Sequence, residues 1–255
     1  MAKKKVVQSV DRALIILEAL ADEGRPMTLS NLAEKTELNI STVHRILNTL
    51  ALRDFIEQNQ DSGKYYLGLK AFEIGNAAKK NINLINITKP YLKELVDKCN
   101  ETTNLAILDE GEVVYVDQAA STNIVKMFAQ IGSRGPAYCT GTGKALLAYE
   151  DPEKWPELFE QMEFKKLTTK TKVDPKRLEE ELRKIRKQGY ALDMGEMEEG
   201  VRCVAAPIKN HDGEVVAAIS ISGPSIRMTE KYIKNEVIPI IMEVANQISN
   251  QLGHH

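Results

Sequence analysis

Residues 29–50 read LSNLAEKTELNISTVHRILNTL, and this stretch carries two short helices about a turn. Ser30 can serve as N-cap of the first, which runs through Leu32 and Ala33 to about Lys35. Thr36-Glu37-Leu38 makes the turn and Asn39 can cap the second helix. Val43, Ile46, Leu47 and Leu50 then fall on one face, leaving Ser41, Thr42, Arg45, Asn48, Thr49 and Leu52 on the other.

Upstream, from Ser9 to Ala21, Val10, Ala13, Leu14, Leu17 and Leu20 recur at three- and four-residue spacing and predict an amphipathic helix that Gly24-Arg25-Pro26 ends. Downstream, Phe55 to Gln58 and Lys64 to Leu67 flank the turn Asp61-Ser62-Gly63, which predicts a hairpin. Three helices and a small hairpin describe a winged helix-turn-helix. In that fold the second helix of the pair enters the DNA major groove. Ser41 and Thr42 suit phosphate or base-edge hydrogen bonds, Arg45 can reach guanine bidentately, and Asn48 and Thr49 lie one turn on. Ser30 joins them as a candidate DNA contact, and Lys64 and Tyr65 in the wing could meet the flanking backbone. On periodicity alone, alternatives stay open. The polar face can simply be solvated, Arg45 can pair within the chain, and Tyr65 or Tyr66 can pack the hairpin.

The remaining chain supports a second, larger domain. At 255 residues, 43% hydrophobic and 27% charged, it has the length for two domains and the composition of a globular protein. The expected division is a DNA-binding domain over 1–68, a linker helix over 69–85 and a second domain over 86–255. The last opens with a helix from Ile87 to Cys99. Short β-branched runs follow at Asn104–Leu108, Val113–Asp117, Val125–Ala129, Tyr190–Met194, Cys203–Ile208 and Val215–Ser222, with helices at about 143–149, 175–187 and 229–252. The fold class is therefore α+β with an antiparallel sheet flanked by helices.

Net charge is −2, and residues 1–80 carry 12 Lys and Arg against 10 Asp and Glu, a weak excess that leaves the argument to pattern. Lys3, Lys4 and Lys5 are followed by polar residues where a secretory signal needs an apolar core, and no run approaches membrane-spanning length, so a cytoplasmic protein with no membrane partner is expected. Cys99, Cys139 and Cys203 are widely spaced and odd in number, which favours neither disulfides nor a metal site.

Several stretches of the second domain invite chemistry. Gly141-Thr142-Gly143-Lys144 fails as a phosphate loop, because position 138 is Tyr and position 145 is Ala, and it fails as a dinucleotide fingerprint because position 146 is Leu. No cofactor is expected. Small residues leading into a helix can still present N–H groups to a carboxylate, although a glycine-assisted turn explains the motif equally well. Ser220 and Ser222 share one face of a strand, as ligand contacts or as satisfied core serines. Asp193 can accept hydrogen bonds from ligand hydroxyls, and Cys203 is a small buried hydrophobe by default. With only His44, His211, His254 and His255 in the chain, a nucleophilic triad has no supporting motif, and no catalytic residue is assigned.

SVDRALIILEAL, LSNLAEKTELNISTVHRILNTL, KYYLGLKAFEIG, TGTGKALLA and EEGVRCVAAPI followed by SISGP together resemble the IclR family of bacterial transcriptional regulators, along nearly the whole chain. Within it, LDEGEVVYVDQ and IGSRGPAYCTGTGKALLA are most similar to the KdgR-type repressors of pectin and hexuronate breakdown, which answer to 2-keto-3-deoxygluconate. The resemblance implies a GAF-like effector domain behind the winged helix, a homodimer or homotetramer on a palindromic operator in double-stranded DNA, and a small organic acid as effector. Residue by residue it places the effector site on Gly141, Thr142, Asp193, Cys203, Ser220 and Ser222. Two readings compete with it: an enzyme acting on a sugar acid, and a constitutive DNA-binding protein whose second domain only oligomerises.

Overall fold

The computed structural model describes residues 6–81 and 83–254; the Lys3–Lys5 run and His255 lie outside them. The chain divides into two compact units, Met1–Ile82 and Asn83–His255, a boundary that falls within the stretch expected as a linker.

In the first unit, helices α1 (Gln8–Glu23), α2 (Leu29–Lys35) and α3 (Ile40–Ala51) precede the strands β1 (Ile56–Gln58) and β2 (Tyr65–Leu67), and α4 (Leu69–Asn81) follows. The strands pair antiparallel, Glu57 opposite Tyr66, and Met27 bridges to Tyr65 as a third short edge. Ile16 and Leu20 of α1, Leu32 of α2 and Val43 and Leu47 of α3 close the core with Ile56. Each such side chain contributes about 1.5–3 kcal/mol by leaving water.

Two expectations change here. The buried row of α1 is Ile16, Ala19 and Leu20, while Val10 and Leu14 stay exposed. This helix carries two apolar rows at helical spacing, and periodicity cannot say which one faces α2 and α3. The cap of α2 is Thr28, whose hydroxyl accepts from Asn31 N at 3.2 Å, so Ser30 sits in the first turn instead. Asn39 does occupy the N-cap position of α3, but its side chain makes no capping bond.

The second unit begins with α5 (Asn83–Cys99) and the hairpin β3 (Thr102–Asp109) and β4 (Glu112–Ala119). It continues through β5 (Arg134–Pro136), α6 (Gly141–Leu147), α7 (Trp155–Gln161) and α8 (Pro175–Gln188). The strands β6 (Ala191–Asp193), β7 (Val201–Lys209) and β8 (Val215–Pro224) precede a terminal helical stretch. Six strands form one antiparallel sheet in the order β5-β4-β3-β8-β7-β6. Alternation sorts its two faces. Leu105, Val204, Ala206, Ile208, Ile219 and Ile221 pack against α5 and the terminal helix. Ala106, Ala191, Ala205 and Ala218 turn the other way, toward α6, α7 and α8. Small residues on that second face leave room for α6 to come close.

The segment Val125–Ala129 is not a strand. Its backbone carbonyls are taken by side chains: Arg227 Nη2 donates to Val125 O at 2.9 Å, Thr102 Oγ1 to Met127 O at 2.7 Å and Gln118 Nε2 to Ala129 O at 2.9 Å. Val125 and Phe128 give it strand-favouring composition, yet its bonding partners belong to distant side chains. The strand β5 escapes sequence reading for the opposite reason, since Arg-Gly-Pro has the composition of a turn and survives only at a sheet edge. The expected helix over 229–252 is present in three pieces. They are Glu230–Tyr232, a π-turn at Ile233–Val237 and Ile238–Gln251. Pro239, which lacks an N–H, stands two residues beyond the widened turn.

Candidate functional site

On α3 the face opposite Val43 and Leu47 is open to solvent. Ser41, Arg45, Asn48 and Thr49 are exposed and Thr42 is half-buried. Among the described residues Arg45 forms no ion pair and its side chain is exposed. Thr49 donates its hydroxyl to Arg45 O at 3.1 Å. His44 lies on the same exposed face, three residues after Ser41, and the sequence reading passed over it although its spacing places it there. In the wing Lys64 is exposed. Tyr65 is corrected: it is 6% exposed and packs in the core, so it supports the hairpin and does not face a DNA backbone. Tyr66, its neighbour, holds Glu57 Oε2 at 2.8 Å.

In the second unit the sheet register brings the other candidates together. Asp193 pairs with Cys203, and Cys203 with Ser222, across β6, β7 and β8; one step along, Ala205 pairs with Ser220. Side chains directly opposite one another share a face, so Asp193, Cys203, Ser220 and Ser222 form one patch. The start of α6 lies against it. A methyl group added at Gly141 would sit 2.8 Å from Cys203 Sγ, and one at Gly143 would sit 2.3 Å from Ala137 Cα. At Gly143 only glycine permits the approach, whereas a side chain at Gly141 would displace the Cys203 sulfur. Thr140 caps α6, accepting from Gly143 N at 3.2 Å, and Lys144 N makes the first intrahelical bond, to Thr140 O. The N–H groups of Gly141 and Thr142 precede that bond and are not consumed by the helix.

Burial sets the electrostatics. Asp193 is raised above the usual carboxylate range by burial, against hydrogen bonds from Glu196 N at 2.6 Å and Gly195 N at 3.0 Å. Burial pushes the Cys203 thiol to about 11, against the Ser222 and Ser220 hydroxyls beside it. Cys139 rises to about 12 for the same first reason, with Asp193 adding to it. Both are thiols at neutral pH, which makes them poor nucleophiles. Tyr115 was not anticipated. Burial lifts its phenol to about 12, and its neighbours are Cys203, the Thr142 hydroxyl and Asp193, so it belongs to this cluster. Its position on β4, two strands from Ser220 in space but distant in sequence, gave no signal.

A buried ion network fixes the loop that follows Asp193. Lys144 is fully buried and donates to Glu196 Oε1 at 2.6 Å and Glu181 Oε1 at 2.8 Å. Burial opposes its charge but is outweighed by the two carboxylates, so it stays protonated. The carboxylates differ. Burial raises Glu196, whereas at Glu181 desolvation is outweighed by Lys144 and Lys172, and its pKa falls. A separate cleft of about 470 Å³ opens nearby, lined in part by Met197, Glu110, Glu112, Glu163 and Lys165. Three carboxylates against one ammonium give that cleft the wrong sign for an acidic ligand. Among the described residues no group of His, Cys, Asp and Glu is placed to hold a metal ion, and no helix is long and apolar enough to cross a membrane.

The family models that match are the IclR helix-turn-helix domain over residues 9–60 and the bacterial transcriptional regulator IclR C-terminal domain over 76–250. The chain belongs to the IclR family. Similar relatives include the HTH-type transcriptional regulator KdgR of Dickeya chrysanthemi, 38% identical over 98% of this chain and 81% of that one. The crystal structure of Thermotoga maritima IclR matches at a TM-score of 0.77 and 31% identity over 98% of this chain and all of the other. An IclR homolog from Microbacterium hydrocarbonoxydans complexed with 4-hydroxybenzoate matches at a TM-score of 0.83 and 25% identity, covering 96% and 98%. This IclR-family protein is thus a DNA-binding transcriptional regulator, and its relatives are regulators rather than enzymes.

Proposed function

We propose that this regulator represses a sugar-acid catabolic operon and leaves its operator when a small organic acid such as 2-keto-3-deoxygluconate binds the second domain. The observation that carries the reading is the convergence of Asp193, Cys203, Ser220 and Ser222 on one sheet face against Gly141 at the start of α6. N–H groups and serine hydroxyls suit a carboxylate, while Asp193 and Cys203 address a keto or hydroxyl end.

In this reading the DNA-binding domain spans 1–68, a linker helix 69–85 and the effector domain 86–255. A cytoplasmic homodimer or homotetramer sets two α3 helices into successive major grooves of a palindromic site. Ser41, Thr42, Arg45, Asn48 and Thr49 contact DNA, with Ser30 and Lys64 on the phosphates. Effector binding favours a conformation with lower operator affinity, and by linkage DNA weakens the effector by the same factor.

The test is a titration of operator-bound protein with a panel of 2-keto acids, read by DNA release, alongside effector titrations with and without operator. Release by one acid, with matched coupling in both directions, is the expected result. Equal effector affinity with and without DNA refutes the mechanism. An absence of any ligand-induced thermal shift points to a domain that only oligomerises.

A further inference from the structure

The polar surface of the candidate effector site does not stop at Ser220. On the same sheet face Ser220 stands opposite Asn104 on β3, and Asn104 opposite Gln118 on β4. Asn104 Nδ2 donates to Ser220 Oγ at 3.3 Å, and Gln118 Nε2 donates to Asn104 Oδ1 at 2.9 Å. The orientation of this chain is fixed from its far end. Gln118 Nε2 also donates to the Ala129 carbonyl at 2.9 Å, and a carbonyl can only accept. Gln118 therefore turns its amide nitrogen inward, Asn104 answers with its oxygen, and the Asn104 nitrogen is left to face Ser220.

Asn104 is buried, and the surrounding positions of this face, Ala106, Ala205 and Ala218, are small and apolar. Buried amides on an apolar face are costly unless they have work for their hydrogen bonds. The two bonds above use one donor hydrogen and one lone pair of Asn104, leaving one of each for a further partner. From β8 to β4 the row extends the serine pair by two strand spacings, about 10 Å. A two- or three-carbon keto acid seated at Gly141 and Ser222 does not need that length. A six-carbon acid with hydroxyls on its distal carbons fills it.

We propose that Asn104 and Gln118 are specificity-determining residues that read the hydroxylated tail of the effector, so that the site holds a polyhydroxylated keto acid more tightly than a pyruvate-sized one. The proposal rests on the effector reading of the Gly141–Ser222 cluster.

The test is calorimetric titration of the full-length protein with pyruvate and with 2-keto-3-deoxygluconate, for the wild type, Asn104→Ala and Gln118→Met. Binding of the six-carbon acid should fall about tenfold or more in each variant, while pyruvate affinity stays within about twofold. Retained pyruvate binding also shows that a variant is folded; should Asn104→Ala not fold, the half-buried Gln118→Met decides. Equal losses for both acids, or no loss for either, overturn the proposal. Wild-type protein that binds pyruvate alone overturns it while leaving the acid-binding site intact. Protein that binds neither acid overturns the underlying reading as well.

Discussion

Lys144 Nζ and Glu196 Oε1 meet 2.6 Å apart with no solvent reaching the lysine, so the helix that carries Gly141 is tied to the loop that follows Asp193. Removing one partner leaves buried carboxylates uncompensated. Lys144→Met should therefore destabilise the protein by about 3–5 kcal/mol in urea unfolding. Lys144→Met with Glu196→Gln should cost less than the single change, because the unpaired charge goes too. A single variant as stable as the wild type would show that the pair holds nothing together.

Asp193 offers a prediction that reads both stability and binding. Burial raises its folded pKa above the unfolded value, so its ionised form costs stability as pH rises through the folded pKa. Asparagine keeps the oxygen that accepts from Gly195 N and Glu196 N but carries no charge. Asp193→Asn should raise the melting temperature of the ligand-free protein at pH 7 to 8, with the gain vanishing at acid pH. An effector carboxylate held nearby should raise the Asp193 pKa further, so that binding takes up a proton and strengthens as pH falls. Calorimetry in buffers of different ionisation enthalpy reads that proton directly, and Asp193→Asn should abolish the uptake.

The first unit separates contact residues from structural ones. Arg45→Ala should weaken operator binding about tenfold to hundredfold and relax base preference, without changing thermal stability. Lys64→Ala should weaken binding evenly across sequences and reduce the salt slope by about one. Tyr65→Ala should instead lower stability, by about 3–5 kcal/mol as for other buried aromatic truncations, because its ring sits in the core. Selective loss of DNA binding by a stable Tyr65→Ala protein would reverse that assignment.

Thiol chemistry gives a fourth check. Burial raises all three cysteines, Cys203 to about 11 and Cys139 to about 12, so little thiolate exists at neutral pH. Native protein should react slowly with a thiol reagent at pH 7.5, and all three thiols should appear on unfolding. Rapid native labelling of Cys203 would show that its pocket opens on the timescale of the reagent.

The helix pair and wing were legible because local spacing determines them: Val43 and Leu47 mark a core face and leave Arg45 outside. Local spacing could not choose between the two apolar rows of α1, since the choice depends on where α2 and α3 lie. It also mistook Val125–Ala129 for a strand, because strand composition is local while the partners Thr102, Gln118 and Arg227 are 11 to 102 residues away. In the second domain, Asp193, Cys203, Ser220 and Ser222 were individually ambiguous, and only family resemblance joined them. Sheet register supplies the physical link. Tyr115, Asn104 and Gln118 stayed hidden because nothing in their own neighbourhood differs from an ordinary half-buried strand.

The contact between Gly141 and Cys203 also bears on how such a site can diversify. With 2.8 Å between an added methyl group and Cys203 Sγ, a side chain at position 141 forces the Cys203 sulfur to shift. Descendants of this sequence that gain a side chain at 141 should show a moved or replaced side chain at 203, and a lineage moving to a new effector would find freer single steps at Thr142 or along the β3 and β4 row. The two positions should drift as a unit, a covariation that a set of orthologues would either display or lack.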